Sequence, residues 1–186
     1  MNGEKLSELE FDLFFLLLSV AGNETTRNLI AHGMLALIEH PDQRARLLAD
    51  PSLLPSGIEE MLRWGTPVMH FRRTAQHDTE VLGQPVAEGQ KVVIWYISAN
   101  RDETVFTDPF RLDVGRSPNE HISFGGGGPH FCLGANLARL EIRVIFEEVL
   151  RRLPDMELAG RVERLRSNFI NGIKHMPVAF SVPPAA

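Results

Sequence analysis

Several features that define common protein classes are scarce or missing in this sequence. Its 186 residues contain a single cysteine, Cys132, so no intramolecular disulfide can form, which fits a reducing cytosol. The formal net charge is −5 and no Lys/Arg cluster alternates with aromatic residues, which argues against nucleic-acid binding. The apolar run at 13–20 is far shorter than the ~20 residues of a membrane span, and acidic residues precede it where a signal peptide would be positive. These absences predict a soluble, cytoplasmic protein.

The hydrophobic pattern predicts a mainly α-helical chain with small β-sheets and no internal domain boundary. A long helix is predicted over 7–38, because Ser7 and Glu10 can form a capping box and His40-Pro41 ends the pattern. Its apolar character predicts burial along much of its length. Further helices are predicted over 43–49, 56–64 and from Cys132 to about 153, strands over 71–75, 80–82, 91–96 and 178–182, an irregular segment over 100–122, and a loose tail over 183–186.

The strongest motif is Phe124-Gly-Gly-Gly-Gly-Pro-His-Phe-Cys132-Leu-Gly134. Glycines reach backbone angles that other residues cannot, and they let a flat ligand approach closely. Cys132 is expected just before a helix N-terminus, whose dipole favours a thiolate. Amides that donate to the sulfur would tune it further as a metal ligand. The following helix is amphipathic, and its pattern predicts that Arg139 faces solvent.

Other roles for Cys132 have to be weighed against a metal-bound thiolate. A lone cysteine is most often a small buried apolar residue, it can act as a nucleophile, and it could bind zinc with His121 and His130. Four glycines leading into a cysteine are unusual for a core residue, and zinc would need a fourth ligand. The glycine spacing matches neither a dinucleotide-binding loop nor a phosphate loop. The loop therefore favours a haem-thiolate site.

A weak point is predicted within the long helix at Ala21-Gly22-Asn23-Glu24-Thr25-Thr26. Glycine costs ~1 kcal/mol relative to alanine in a helix interior, and threonine hydroxyls bond back to a carbonyl four residues earlier. By itself this stretch is explained by a kink for packing. An ionised Glu24 in a buried helix is harder to explain, because it is costly without a purpose. A functional site is therefore a second explanation.

These motifs, in this order, resemble the cytochrome P450 family of haem-thiolate monooxygenases. The loop resembles the family's cysteine-ligand signature, the Glu24 stretch resembles its oxygen-activation motif, and Glu60-x-x-Arg63 resembles its E-x-x-R motif. Phe124 lies one residue further from Cys132 than in the commonest form, as in actinobacterial hydroxylases of methyl-branched lipids and sterols. The resemblance implies the C-terminal, haem-binding half of that fold.

The resemblance also implies the cofactor and the roles of individual residues. The cofactor would be haem b (iron protoporphyrin IX), with Cys132 as the axial ligand to iron. Thr25 would hold dioxygen and its water, and Glu24 would relay protons. Phe124 and Gly126 would lie beside the haem, and Arg72 and His130 would bind its propionates, with Arg73 as the alternative to Arg72. A buried network of Glu60, Arg63 and Arg116 would support the loop. The substrate pocket would be lined by Val68, Met69, Phe169 and Ile170.

By resemblance the function is monooxygenation: one atom of O2 enters a C–H bond of an apolar, lipid- or sterol-like substrate. Electrons would come from a ferredoxin and its reductase. A non-catalytic haem binder, a peroxide-driven peroxygenase and an inert truncated fragment are the alternatives, and the Glu24–Thr25 pair argues against the first two.

The length of the chain leads to a further expectation. Family chains are much longer, so residues 1–186 are expected to be a single partial domain without the N-terminal half of the family fold. The apolar face of the first helix would then lack its packing partners. A gene fragment, a truncated product and half of a split enzyme would all fit, and we expect the isolated chain to bind haem weakly, if at all.

Overall fold

Helices form the framework of the structure, a computed structural model that describes residues 5–181. The first helix begins where predicted, because Ser7 Oγ accepts from the Glu10 amide (3.3 Å) and Glu10 Oε2 accepts from the Ser7 amide (2.8 Å). It ends at Glu39, since Pro41 starts the next helix. The helices are α1 (Glu8–Glu39), α2 (Pro41–Ala49), α3 (Leu54–Gly65), α4 (Tyr96–Ala99) and α5 (Ala135–Arg152), with a 3₁₀ turn at Pro51–Leu53.

The strands form small antiparallel pairs at the edge of this framework. The pairs are β1 with β4, β2 with β3, β5 with β8 and β6 with β7. The predicted strand over 178–182 is shorter, and Val182 lies outside the described residues, as does the predicted tail at 183–186. The strands are β1 (His70–Thr74), β2 (Thr79–Val81), β3 (Gln84–Val86), β4 (Lys91–Trp95), β5 (Glu157–Leu158), β6 (Glu163–Arg164), β7 (Ile173–His175) and β8 (Val178–Ala179).

The core lies where the second half of α1 packs against α3 and α5. Leu37, Ile142 and Phe146 are buried there. Gly33 sets the closeness of this packing, because a Cβ at that position would lie 2.8 Å from Phe146 Cζ and 2.9 Å from the sulfur of Met61. A side chain on Gly33 would therefore force the buried side chains of Phe146 and Met61 to move.

The first half of α1 has no packing partner within the described residues. Leu9 is 68% exposed and Phe15 is 63% exposed, although both are large and apolar. The prediction that the helix is buried along much of its length is correct only from Thr26 onwards. The expectation of an unpacked apolar face is met, and apolar side chains cover this half of the helix on every side. Among residues 5–181, no helix has the length and apolar character that crossing a membrane requires.

Candidate haem-thiolate site

The glycine-rich loop presents Cys132 at the protein surface ahead of α5. The Cys132 amide donates to the Phe124 carbonyl at 2.9 Å, which closes the loop, and Cys132 itself is exposed. Gly125, Gly127 and Gly128 have φ angles of 95°, 94° and 78°, a region that favours glycine. The loop geometry therefore requires glycine at three of the four positions in the run.

The donor set around Cys132 fits haem better than zinc. His121 cannot join Cys132 on a metal, because its Nδ1 accepts from the Ser123 amide (3.2 Å) and its Nε2 then donates to Glu59 Oε2 (2.9 Å). The part of the chain that the structure describes holds no group of three metal-ligating side chains. Phe131 and Leu133, the neighbours of Cys132 in sequence, have exposed apolar side chains. A single thiolate in apolar surroundings fits an iron whose other ligands belong to a flat organic group.

A second set of contacts, which the sequence did not reveal, holds Phe124 in place. Arg139 donates to both oxygens of Glu59, from Nε at 2.7 Å and from Nη2 at 2.8 Å. Its guanidinium lies 4.5 Å from the centre of the Phe124 ring. The prediction that Arg139 faces solvent is only partly correct: its side chain is 36% exposed, and its ion pair with Glu59 links α5 to α3.

Glu59 should make the stability of this region depend on pH. Burial opposes its ionisation, but hydrogen bonds from Arg139 and His121 outweigh burial and lower the pKa of Glu59 from 4.5 to about 2. Since the folded pKa lies below the unfolded value, the stabilisation is complete above about pH 4.5 and is lost as the pH falls towards 2. After allowance for solvent screening we expect about 1–2 kcal/mol.

The measurement is the free energy of unfolding in urea, taken from pH 5 down to the lowest pH at which the protein stays folded. Glu59→Gln should lower stability at pH 5 and flatten the profile. Glu147, which pairs with Arg143 on the surface, supplies the control, because Glu147→Gln should leave the slope unchanged. An unchanged slope in Glu59→Gln would contradict the assignment.

Glu60, Arg63 and Arg116 meet in one buried cluster. Arg63 donates to both oxygens of Glu60, from Nε at 2.7 Å and Nη2 at 2.8 Å, and both residues have no exposed surface. Arg116 Nε lies 3.1 Å and 3.2 Å from the same two oxygens. The Asp113 amide and Asn119 Nδ2 donate to them as well, at 3.0 Å and 3.1 Å. The carboxylate is therefore fully partnered.

Asn100 joins this cluster to the cysteine loop. Its carbonyl accepts from Arg63 Nη1 at 2.8 Å, and its side chain donates to Ser123 Oγ at 2.9 Å and accepts from the Ile122 amide at 2.9 Å. Asn100 is completely buried. The sequence missed it, because it begins a segment without periodicity and its partners are distant. A shift of Arg63 would therefore reach the start of the loop through Asn100.

The acid–threonine motif lies on an unbroken part of α1. Thr25 Oγ1 donates to the Ala21 carbonyl at 2.6 Å, the back-bond expected from the sequence, but the helix continues through it. Glu24 Oε2 accepts from Arg27 at 2.7 Å and from Asn28 at 3.3 Å. The Glu24 side chain is 47% exposed rather than buried, because the described residues place nothing over this side of the helix.

The four predicted pocket residues come together in two adjacent segments. Val68 pairs with Ile170 as an isolated antiparallel bridge, and the Met69 amide donates to the Phe169 carbonyl at 2.9 Å. The Phe169 ring also meets the Phe71 ring edge-on at 5.6 Å. The loop at 165–172 is thus fixed against the segment that leads into β1.

The remaining predicted cofactor contacts are exposed. Arg72 and Arg73 are successive residues of β1, so their side chains leave opposite faces of the strand. Arg73 shares a face with Phe71 and its guanidinium lies 5.9 Å from that ring. His130 is exposed within the cysteine loop. The space next to Gly126 is open, because a Cβ built on it would have no atom within 4 Å. Both arginines and His130 are therefore accessible to anionic groups.

Comparison with known proteins shows which family the sequence matches. The family model for cytochrome P450 matches residues 1–163. The chain is 54% identical over 182 residues to a methyl-branched lipid omega-hydroxylase of Mycobacterium tuberculosis, covering 97% of this chain and 42% of that protein. It is 49% identical over 181 residues to a steroid C26-monooxygenase of the same species, covering 97% of this chain and 41% of the relative. The chain thus spans about two fifths of these relatives.

Solved structures show the same correspondence. A Mycobacterium marinum cytochrome P450 in complex with pseudoionone superposes with a TM-score of 0.92 at 50% identity, covering 97% of this chain and 44% of that one. A Bacillus megaterium relative in complex with testosterone superposes with a TM-score of 0.93 at 38% identity, covering 98% and 51%. Since the family model matches most of the sequence and the fold matches solved members, the chain belongs to the cytochrome P450 family.

Proposed function

We propose that this chain is the haem-binding, C-terminal part of a monooxygenase that inserts one atom of O2 into a C–H bond of an apolar, lipid- or sterol-like substrate. The observation that carries the proposal is the exposed Cys132 on a glycine loop, next to the buried ion pairs of Glu60 with Arg63 and Arg116. The names of the relatives, a methyl-branched lipid omega-hydroxylase and a steroid C26-monooxygenase, support the substrate class.

Haem b is the proposed cofactor, with Cys132 as the axial ligand. Thiolate-ligated haem iron supplies the activation of O2. Phe124 and Gly126 would lie against the haem, since the Phe124 carbonyl already accepts from the Cys132 amide and Gly126 carries no side chain in the way. His130 and one of the two exposed β1 arginines, Arg72 or Arg73, would neutralise the propionates.

The proposed reaction is RH + O2 + 2 electrons + 2 protons giving ROH + H2O, so the protein has to deliver two protons. The half-exposed Glu24 carboxylate can exchange protons with water. Thr25 lies next to it, and while its hydroxyl donates to the Ala21 carbonyl its lone pairs can accept from a water. We therefore assign proton relay to Glu24 and positioning of a proton donor to Thr25. A cytoplasmic ferredoxin with its reductase is the proposed electron source.

The activity is proposed for a complete enzyme rather than for residues 1–186 alone. Val68, Met69, Phe169 and Ile170 form one apolar wall, and the exposed first half of α1 requires a partner surface that the described residues do not supply. We propose that an additional polypeptide segment, like the one present in the longer relatives, covers the first half of α1 and closes the pocket. A single partial domain for 1–186 follows from this proposal.

The test uses a fusion of the N-terminal segment of the Mycobacterium tuberculosis methyl-branched lipid omega-hydroxylase to this chain, called here the completed protein. It would be supplied with NADPH, ferredoxin, ferredoxin reductase and either a methyl-branched fatty acid or a sterol. We expect one hydroxylated product per O2 consumed with at least one of the two substrates. Haem-loaded protein that forms no product from either would favour a non-catalytic haem binder, and haem-free protein would favour an inert fragment.

Replacing Thr25 by alanine should separate electron use from product formation. Without the hydroxyl, proton delivery is disordered, and we expect product per NADPH to fall by about tenfold or more while peroxide rises. Thr25→Ser keeps the hydroxyl and should retain most of the coupling. The measurement is the ratio of product and peroxide to NADPH consumed. Equal ratios in the alanine variant and the unmodified protein would contradict the role of Thr25.

A further inference from the structure

Asn28 is a buried amide one turn after Glu24, and it contacts two different regions at once. Its Nδ2 donates to the Glu24 carbonyl at 2.8 Å and reaches Glu24 Oε2 at 3.3 Å. Its Oδ1 accepts from the Ile173 amide at 3.1 Å, across 145 positions of sequence. Asn28 is 2% exposed; its bond to Ile173 is buried, and its contacts with Glu24 are part-buried.

The segment held by Asn28 continues directly from the pocket wall. Ile173 follows Phe169 and Ile170, the residues paired with Met69 and Val68. Contact along the segment is close, because a Cβ on Gly172 would lie 3.2 Å from Asn28 Oδ1. A displacement of the pocket loop that carries Ile173 with it would therefore strain or break the bond from the Ile173 amide to Asn28 Oδ1.

A second buried side chain fastens the same segment without touching Glu24. His32 Nε2 lies 2.9 Å from the Asn171 carbonyl, and Asn171 Nδ2 donates to the Gly65 carbonyl at 2.7 Å. His32 is 5% exposed and lies one turn after Asn28 on α1. The two side chains differ in one respect: only Asn28 also reaches the carboxylate. His32 thus provides a matched control for anchoring alone.

Glu24 is held from two sides that differ in exposure. Arg27 donates to its Oε2 from the solvent side at 2.7 Å, and Asn28 reaches the same oxygen from the buried side. The orientation of the carboxylate therefore depends on which donor holds it more strongly. Oδ1 of the same Asn28 side chain accepts from the Ile173 amide, so the orientation of the Asn28 amide group is tied to Ile173.

We propose that Asn28 is a positioning residue that couples occupation of the substrate pocket to the orientation of the Glu24 carboxylate. An apolar substrate pressing on Phe169 and Ile170 shifts the following segment, Asn28 moves with it, and Glu24 is released towards or withdrawn from the proton path. Proton delivery is thereby linked to the presence of substrate. This proposal deepens the proposed function and rests on it.

The first arm of the test compares variants that separate the two contacts. Asn28→Asp keeps an oxygen to accept from Ile173 but replaces the amide donor to Glu24 by a second carboxylate oxygen. In the completed protein we expect product per NADPH to fall about tenfold, with the haem–CO band retained. His32→Gln loosens the same segment without touching Glu24, and its coupling should stay within about twofold of the unmodified protein. Equal losses in both variants, or none in Asn28→Asp, would overturn the proposal.

The second arm does not depend on turnover. Amide hydrogen exchange is measured at Ile173 and in the peptide 21–28, with and without a methyl-branched fatty acid. In the unmodified protein we expect the fatty acid to change exchange in both places. In Asn28→Leu we expect it to change exchange only at Ile173. The Ile173 amide loses its acceptor in that variant and should exchange about tenfold faster, with or without the fatty acid. Failure of the unmodified protein to form product would count against the proposed function alone. If peptide 21–28 of Asn28→Leu responded to the fatty acid as it does in the unmodified protein, the link through Asn28 would be overturned.

Discussion

Replacing Cys132 by alanine is expected to abolish the haem–CO difference band of thiolate-ligated iron in the completed protein. The neighbouring His121 has both ring nitrogens engaged. The exposed His130 is the nearest free imidazole, and a nitrogen ligand does not give the thiolate band. The loop itself should persist, because its closing bond joins the Cys132 amide to Phe124 and does not involve the sulfur. The measurement is the reduced, CO-bound difference spectrum, with haem content determined in parallel.

A second substitution separates loss of the ligand from loss of the site. Cys132→His supplies a neutral nitrogen at the same position and should retain haem while moving the band away from the thiolate position. The isolated chain of 186 residues, tested beside the completed protein, should bind haem weakly, because the apolar half of α1 is unpacked in it. A thiolate band that survives in Cys132→Ala would show that the sulfur is not the ligand.

Local signals account for what the sequence predicted correctly about the fold. The long helix was predicted over 7–38 and observed at Glu8–Glu39, because a capping box at one end and a proline at the other act within a few residues. The strands β3, β5, β6 and β7 are not predicted from the sequence, since each has only two or three residues and is defined by its pairing with another segment. Pairing of that kind leaves no periodicity in the sequence.

The same distinction applies to the candidate site. Glu60 and Arg63 are three residues apart on a helix, so their contact was expected from spacing. Arg116 was assigned through family resemblance alone, and the structure brings it to the same carboxylate. Arg139 and Asn100 were not anticipated, because an amphipathic pattern reports the face of a helix and not a partner many positions away. Long-range ion pairs and buried amides therefore have to be found in the structure.

Breaking the buried Glu60–Arg63 pair should produce the largest loss of stability among the ion pairs. Arg63→Ala leaves an ionised Glu60 with no exposed surface and removes bonds to the carbonyls of Asn100 and Pro109. Removing one partner of a buried pair costs about 3–5 kcal/mol when the other charge is left uncompensated, and because Arg116 still contacts Glu60 we expect the lower end of that range, about 3 kcal/mol. The measurement is the free energy of unfolding of the completed protein in urea, together with its haem content.

Two further variants show whether the loss comes from the charge or from the network. Arg63→Lys keeps a positive charge but cannot donate to both oxygens of Glu60 in one plane, so we expect it to recover only part of the stability. Glu148→Gln, which removes an exposed partner of Arg151 and Arg152, should change unfolding little. Because Asn100 connects Arg63 to the cysteine loop, haem content should fall with stability in Arg63→Ala and stay unchanged in Glu148→Gln. Full stability in Arg63→Lys would mean that charge alone is enough and that the planar fork contributes nothing to holding the loop.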